Sequence, residues 1–423
     1  MSKQPIKVDR VWTNANLATL CPEIGTPYGR LEGHAIAVTG NQISWIGPNA
    51  EVDSCLRASE TVDANGFWIT PGLIDSHTHL IYGGNRCKDF EQLALGSSYE
   101  QIAQRGGGIL STVMATREMS EQQLAEQALV RLQALCAEGV TCIEIKSGYG
   151  LTVEDELKML RAAKLLCQSI NVHLRTSLLA AHIIPPEFKG RSNEYVELIC
   201  KELIPQVAEQ KLAQAVDVFC EDIAFDLPQT EKIFRAAEDH GLAIKAHVEQ
   251  LSHLGGSALA ASYKAWSVDH CEHLHASDIK ALAASDTVVC LLPGAQYFLR
   301  QKHKPPVAKL RAAGVSMAVA TDLNPGTSPF ASLCLMMNMA VINFGLTPEE
   351  ALTGVTRNAA AALGLGHRKG QLKLGYDADL LVWDINDPAQ LSYEFGSLNL
   401  VQRVIASTTI PDTVNCPLAQ KGV

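Results

Sequence analysis

Eight short apolar runs, separated by stretches of helical periodicity, constrain this chain more than any other feature. The runs occupy residues 73–79, 141–146, 172–181, 216–220, 243–247, 267–270, 287–292 and 315–320. Helix-start signals lie between and after them. Ser120 and Gln123 stand at capping-box spacing, ahead of Leu124, Ala128, Leu132 and Leu135 on one face. Thr152 and Asp155 repeat the hydroxyl-to-acid spacing. Thr347, Pro348 and Glu350 supply an N-cap, a proline at the first helical position and a capping-box acid. Eight strands alternating with helices over about 300 residues predict an α/β fold, a parallel (β/α)8 TIM-like barrel spanning 69–365.

The two ends of the chain read differently. Residues 8–13, 35–39 and 43–46 look like short strands punctuated by turns, including Gly40-Asn41. Near the other end, Gly375-Tyr376-Asp377-Ala378-Asp379 precedes an apolar run at 380–383, and residues 401–407 are again of β type. Two terminal β segments flanking a long middle predict one composite β-sandwich built from residues 1–68 and 366–423.

Composition narrows the function. The net charge is −10, and no basic stripe with interleaved aromatics is present, so nucleic acid is not an expected partner. No run of about 18 apolar residues is found, which predicts no membrane span. Residues 1–12 carry no apolar core of a secretory signal. The 12 cysteines include no Cys-x-x-Cys pair, and Cys142, Cys220 and Cys290 sit inside apolar runs. They read as core residues of a protein in a reducing cytoplasm. A soluble cytoplasmic enzyme or binding protein for a small molecule is the expectation.

In parallel barrels the active site lies at the C-terminal ends of the strands. Those ends hold His77 and His79, then His182, then His247 with Glu249 and Gln250, then His270, and lastly Asp322. Residues two apart on a strand point to one side, so His77 and His79 present two imidazoles to one small volume. Alone, such a pair also fits two surface histidines; five histidines and an aspartate at the strand ends are hard to explain by packing. Three imidazoles from His77, His79 and His247 with the Asp322 carboxylate suit one divalent metal, Zn²⁺ or Fe²⁺, with a position open for water. Asp322 is then placed to take a proton from that water. His270, one strand from His247, serves as a base or holds a substrate carbonyl. Glu249 should point to the opposite face of its strand and take no catalytic part.

At this point the chain resembles the amidohydrolase superfamily and, within it, the imidazolonepropionase family of histidine degradation. The resemblance covers nearly the whole chain. It rests on Pro71-Gly72-Leu73-Ile74-Asp75 before His77-Thr78-His79-Leu80, on Gly84-Asn85-Arg86 and on Arg105-Gly106-Gly107-Gly108-Ile109. It continues through Lys146-Ser147-Gly148-Tyr149-Gly150-Leu151, Ala180-Ala181-His182 and His247-Val248-Glu249-Gln250-Leu251. The most specific stretch is Thr321-Asp322-Leu323-Asn324-Pro325-Gly326-Thr327-Ser328.

The resemblance implies hydrolysis of the cyclic amide of 4-imidazolone-5-propanoate to N-formimidoyl-L-glutamate, by a homodimer. It implies that Arg86 clamps the propionate carboxylate and that Tyr149 contacts the substrate. His182 would bind the carboxylate or the ring, and Asn324, Gly326 and Thr327 the ring or the product. Asn324-Pro325-Gly326 also reads as an ordinary turn. Binuclear relatives use a modified lysine at the end of strand four. Here that end reads Phe219-Cys220-Glu221-Asp222, which favours one metal. Lys146, at the end of strand two, reads as a hydrogen-bonding or structural lysine. Gln250 stands where some members carry a glutamate; an amide is no general base, so Gln250 becomes a hydrogen-bond partner of the substrate. The alternatives are another cyclic amidohydrolase or deaminase of the superfamily, or a non-catalytic scaffold. Arg86 argues against a neutral base as substrate, and four intact candidate ligands argue against a scaffold.

Overall fold

The computed structural model describes residues 4–98, 101–102 and 105–405. Eight strands follow one another around a parallel sheet in chain order. They are Leu73–Asp75, Val140–Lys146, His173–Ala181, Ala215–Cys220, Ala243–Val248, Ser267–His270, Val288–Leu291 and Met317–Val319. Each pairs in parallel with the next. The first strand is shorter than expected and stops at Asp75. The chain stays extended beyond it because both sides are bonded. Lys146 N donates to Thr78 O at 2.9 Å, and His79 N to Leu323 O at 3.0 Å. Asp322 N donates back to His77 O at 3.0 Å, and Thr78 forms a parallel bridge with Leu323. Thr321 Oγ1 donates to Asp75 Oδ2 at 2.6 Å just below. The last strand thus meets the first beyond its end, at the level of the histidines. This closure brings the two ends of the barrel sequence together.

The helices start where their caps dictate. In Glu121–Ala137 the N-cap is Ser120 with its capping box to Gln123, and Leu124, Ala128, Leu132 and Leu135 are buried against the barrel. Thr152 caps Val153–Gln168, and Thr347 with Glu350 caps Pro348–Gly354. None of the described helices is long and apolar enough to cross a membrane.

A seven-stranded mixed sheet is built from both ends of the chain. Its order is Leu400–Val404, Leu380–Trp383, Trp68–Pro71, Ile6–Ala18, Arg30–Thr39 and Gln42–Pro48, with Leu56–Asp63 paired to Ile6–Ala18. Leu380–Trp383 inserts antiparallel between Trp68–Pro71 and Leu400–Val404. Its core packs Trp12, Ile36, Ile43, Ile69, Leu380 and Val382. Trp68–Pro71 runs directly into the first barrel strand, so the terminal sheet anchors the segment that carries His77 and His79. Residues 406 and 407 of the expected last strand lie outside the described residues. The 11 described cysteines are all free.

The barrel interior beneath the histidines is charged. Lys146 Nζ lies 2.6 Å from Asp217 Oδ2, 2.9 Å from Glu144 Oε2 and 3.6 Å from Asp269 Oδ2, all fully buried. Lys245 Nζ adds a contact to Glu144 at 3.4 Å and donates to Ser76 O and Ala362 O, each at 3.2 Å. Burial acts against the Lys146 ammonium, but Asp217, Glu144 and Asp269 hold its pKa above the ordinary lysine value. Lys146→Met leaves Asp217 without an ammonium partner and Glu144 and Asp269 with Lys245 alone. It is expected to cost about 3–5 kcal/mol in urea denaturation; an unchanged midpoint would refute this account of the interior. Ser120→Ala removes one cap far from the site and is expected to cost about 1 kcal/mol with turnover unchanged.

Candidate active site

Four lone-pair acceptors converge at the mouth of the barrel. His77 Nδ1 lies 2.7 Å from Asp269 Oδ2, and His247 Nδ1 lies 3.0 Å from Asp217 Oδ1. A carboxylate only accepts, so both Nδ1 atoms carry the hydrogen, and the neutral rings turn Nε2 lone pairs upward. These meet His79 Nε2, which is 3.2 Å from His77 Nε2 and 3.4 Å from His247 Nε2. Asp322 Oδ1 closes the group at 3.4 Å from His77 Nε2 and 3.3 Å from His79 Nε2. Acceptors packed this closely repel unless positive charge lies among them. Burial and the Lys146 ammonium push the His77 pKa down, yet Asp269 carries it up to about 8, so with no metal cation among these acceptors the His77 ring takes up a proton near neutral pH. Three imidazole nitrogens and one carboxylate oxygen, with the His77 and His247 rings held from below by Asp269 and Asp217, fit a divalent cation well. His77, His79 and His247 place their ligand atoms within 4.8 Å of one another.

Above this floor opens a cavity of about 440 Å³. His79, His182, His247, His270 and Asp322 face it, as do Arg86, Tyr149 and Gln250 and the loop residues Asn324, Gly326 and Thr327. His77 lies fully buried behind His79. The structure therefore brings the candidate metal ligands and the candidate substrate-facing residues to one place. Several of them are held differently from expectation.

His182 Nδ1 is 3.0 Å from the carbonyl of Gly148, so that nitrogen carries the hydrogen. Burial, then the neighbouring His79 ring, lowers its pKa to about 4. A neutral His182 thus offers the cavity an acceptor at Nε2. It suits a ring N–H and not a carboxylate. The ring stacks on His79 with centroids 5.4 Å apart. His270, lowered by burial to about 4, is also neutral, and its Nδ1 has no partner among the described residues. Its ring centroid lies 5.4 Å from that of His247.

Asn324 is committed to its own loop. Its Nδ2 donates to Asp322 O at 2.7 Å and Thr327 Oγ1 at 2.8 Å, and its Oδ1 accepts from Gly326 N at 2.9 Å and Thr327 N at 2.7 Å. It shapes the turn behind Asp322, with little left to bind a ligand. Gly326 packs beside Arg86: a Cβ there would sit in ordinary contact, 3.4 Å from Arg86 Nη1. The Arg86 Nε donates to Asp89 Oδ2, which also accepts from Gly108 N at 3.0 Å. This turns the Nη edge of the guanidinium to the cavity.

Residues missed by the sequence reading build the rest. Ile109, Ile183, Phe219, Ile223, Leu251 and Leu299 form apolar walls. Nothing local marks them; they come from separate segments, Phe219 from the fourth barrel strand, Ile109 from the start of the helix Ile109–Glu118 and the others from outside the strands and helices. Asp217 sits three positions before the end of its strand at Cys220 and Asp269 one before His270, and an acid inside an otherwise apolar barrel strand is the signal the sequence carries. Glu221 accepts from Gln250 N at 2.6 Å, Leu251 N at 2.9 Å and Ser252 Oγ at 2.6 Å, and so fixes the loop carrying Gln250. Glu249 turns away from the cavity and accepts from Gly255 N, Gly256 N and Ser257 N at 2.8–3.0 Å. Glu272 is buried with neither carboxyl oxygen partnered among the described residues, and burial raises it to about 8.

Known proteins agree with this architecture. The model of the amidohydrolase family matches residues 68–415. A protein of Chromobacterium violaceum named imidazolonepropionase is 55% identical over 394 residues, covering 93% of this chain and 95% of its own. One from Vibrio vulnificus with the same name is 54% identical over 399 residues, covering 94% and 97%. Among solved structures, an adenosine deaminase from Xanthomonas campestris with bound zinc superposes at a TM-score of 0.70 and 18% identity, covering 95% of this chain and 92% of its own. Atrazine chlorohydrolase from Arthrobacter aurescens complexed with zinc gives 0.66 and 15%, covering 94% of each. These two share the fold. The chain belongs to the amidohydrolase family and, within it, to the imidazolonepropionases.

Proposed function

We propose that the protein hydrolyses the lactam bond of 4-imidazolone-5-propanoate to give N-formimidoyl-L-glutamate. The observation that carries this is the pairing, in one cavity, of a cation-demanding floor with the Arg86 guanidinium. A cyclic amide with a carboxylate tail uses both. The imidazolonepropionase relatives support the same substrate. A divalent cation, Zn²⁺ or Fe²⁺, held by His77, His79, His247 and Asp322 would supply Lewis acidity and bring water deprotonation near neutral pH. The zinc bound by structural neighbours supports that assignment. The free cysteines support a reducing cytoplasm.

The chain's own residues then act as follows. Arg86 holds the propionate with its Nη edge, whose fork matches a carboxylate. His182 accepts a hydrogen bond from a ring N–H, and Tyr149 packs beside it; its ring centroid lies 5.5 Å from that of His182. Gln250 hydrogen-bonds the ring from the opposite wall. Asp322 takes a proton from the attacking water, whose oxygen bonds to the lactam carbonyl carbon. His270 donates a hydrogen bond to the oxyanion that develops there. The carbon–nitrogen bond breaks, and the ring nitrogen leaves with the proton carried by Asp322. One water is consumed, the carbonyl carbon becomes a carboxylate, and the ring nitrogen becomes the formimidoyl terminus.

The test is loss of the ultraviolet absorbance of imidazolone propanoate. Chelated protein should be inactive and regain turnover with one equivalent of Zn²⁺ or Fe²⁺; full turnover by protein free of metal would defeat the reading. Asp322→Asn should lower kcat by about 10²–10⁴-fold. Arg86→Gln removes a charge-assisted clamp and should raise KM about 100-fold with kcat little changed. An unchanged KM would remove Arg86 from substrate binding.

A further inference from the structure

We propose that Glu156 is a positioning residue, setting Tyr149 and His182 for substrate through the loop that follows the second barrel strand. The proposal rests on the substrate reading above. Glu156 stands in the first turn of Val153–Gln168 and is fully buried. A carboxylate there would ordinarily serve the helix's own N–H groups, but Thr152 already does so, its Oγ1 accepting from Asp155 N at 3.1 Å. Glu156 reaches out of the helix instead. Its Oε2 accepts from Gly148 N at 3.0 Å, and its Oε1 from Gly150 N at 2.8 Å and Leu151 N at 2.7 Å. The Ser147 hydroxyl adds a fourth hydrogen bond. The partners are thus loop donors and no cation. Burial raises the carboxyl above its ordinary value in spite of them.

These bonds hold a backbone that would not adopt this path unaided. Gly148 has φ +115° and Leu151 φ +58°, both in the left-handed region. The loop is also pressed flat. A Cβ on Gly150 would lie 2.5 Å from the backbone of Asp155 and Glu156, and one on Gly148 would lie 3.0 Å from His182 Nδ1. Tyr149 stands between the two anchored glycines, so its direction into the cavity follows from where their N–H groups are held. His182 is set by the same peptide group: its Nδ1 donates to Gly148 O at 3.0 Å. That bond fixes both the ring plane and the tautomer, leaving the Nε2 acceptor toward the substrate. One buried carboxylate, without touching substrate, therefore sets two substrate-facing side chains.

Glu156→Gln keeps the volume but sets an amide N–H₂ against a loop N–H. In metal-loaded enzyme it should raise KM for imidazolone propanoate about 10- to 100-fold with kcat within a few fold and metal content unchanged. Amide hydrogen exchange at Gly148, Gly150 and Leu151 should quicken. The effect on KM should be smaller in a His182→Ala background, because the share that acts through His182 is already lost and only the share through Tyr149 remains. A KM within twofold of wild type, or effects that simply multiply, would reduce Glu156 to a support of the fold and overturn the proposal. If Glu156→Gln does not fold, Glu156→Asp, which withdraws the charge by one methylene, is read by the same measurements. Failure of the substrate reading looks different. Wild type would then leave imidazolone propanoate intact, and the exchange rates, which need no substrate, decide on Glu156: unchanged rates in the variant overturn it.

Discussion

Four acceptors linked by contacts of 3.2–3.4 Å at the barrel mouth set the terms for the rest of the structure. His77, His79, His247 and Asp322 stay together only if positive charge lies among them. The layers beneath serve that end. Asp269 and Asp217 fix the tautomers of His77 and His247. Burial acts against the Asp217 carboxylate, but His247 and Lys146 hold it below the usual carboxylate range. Lys146 and Lys245 in turn keep the carboxylates Glu144, Asp217 and Asp269 from being stranded without counter-charge. The interior is thus a stack of alternating charge. A single layer could not be removed without exposing the next to a low-dielectric surrounding.

The walls follow a second rule. The residues that face a ligand sit on loops, and loops hold a direction only if their backbone polar groups are satisfied. Buried and half-buried carboxylates do this repeatedly here. Asp89 joins Arg86 to Gly108, Glu156 gathers Gly148 to Leu151, Glu221 gathers Gln250 to Ser252, and Glu249 gathers Gly255 to Ser257. Anionic oxygens accept several N–H groups at once, which a neutral amide cannot match. The cavity is therefore shaped before a ligand arrives, and little ordering remains for binding to accomplish.

Much of the frame was legible in the chain. The strand runs are found within a few residues of their predicted places, since apolar runs between capped helices have few other folds open to them. The helix starts at Ser120, Thr152 and Thr347 are as read, because a cap is a local hydrogen bond. The first strand was read too long: what keeps residues 76–80 extended is bonding to both neighbours, which no local pattern records. His182 was read as a partner for carboxylate or ring; its bond to Gly148 O makes it an acceptor. Asn324 was read as both turn and ligand, and its hydrogen bonds leave it chiefly a turn. Nothing in the local pattern marks Glu156 or Glu221, because the loop N–H groups they hold are brought to them by tertiary packing.

By itself, then, the sequence determined the alternation of strand and helix, the ends of the barrel strands, and the residue types standing there. Those depend on periodicity, caps and spacing, which act over a few residues. Only the tertiary structure decided which atoms face one another: that His77, His79, His247 and Asp322 meet at one point, that the last strand returns to the first, and which nitrogen of each imidazole is left free. Those outcomes depend on closure between residues up to 246 positions apart, as in the bond from Thr321 to Asp75. A hydrogen bond across such a separation leaves no trace in the local pattern on either side.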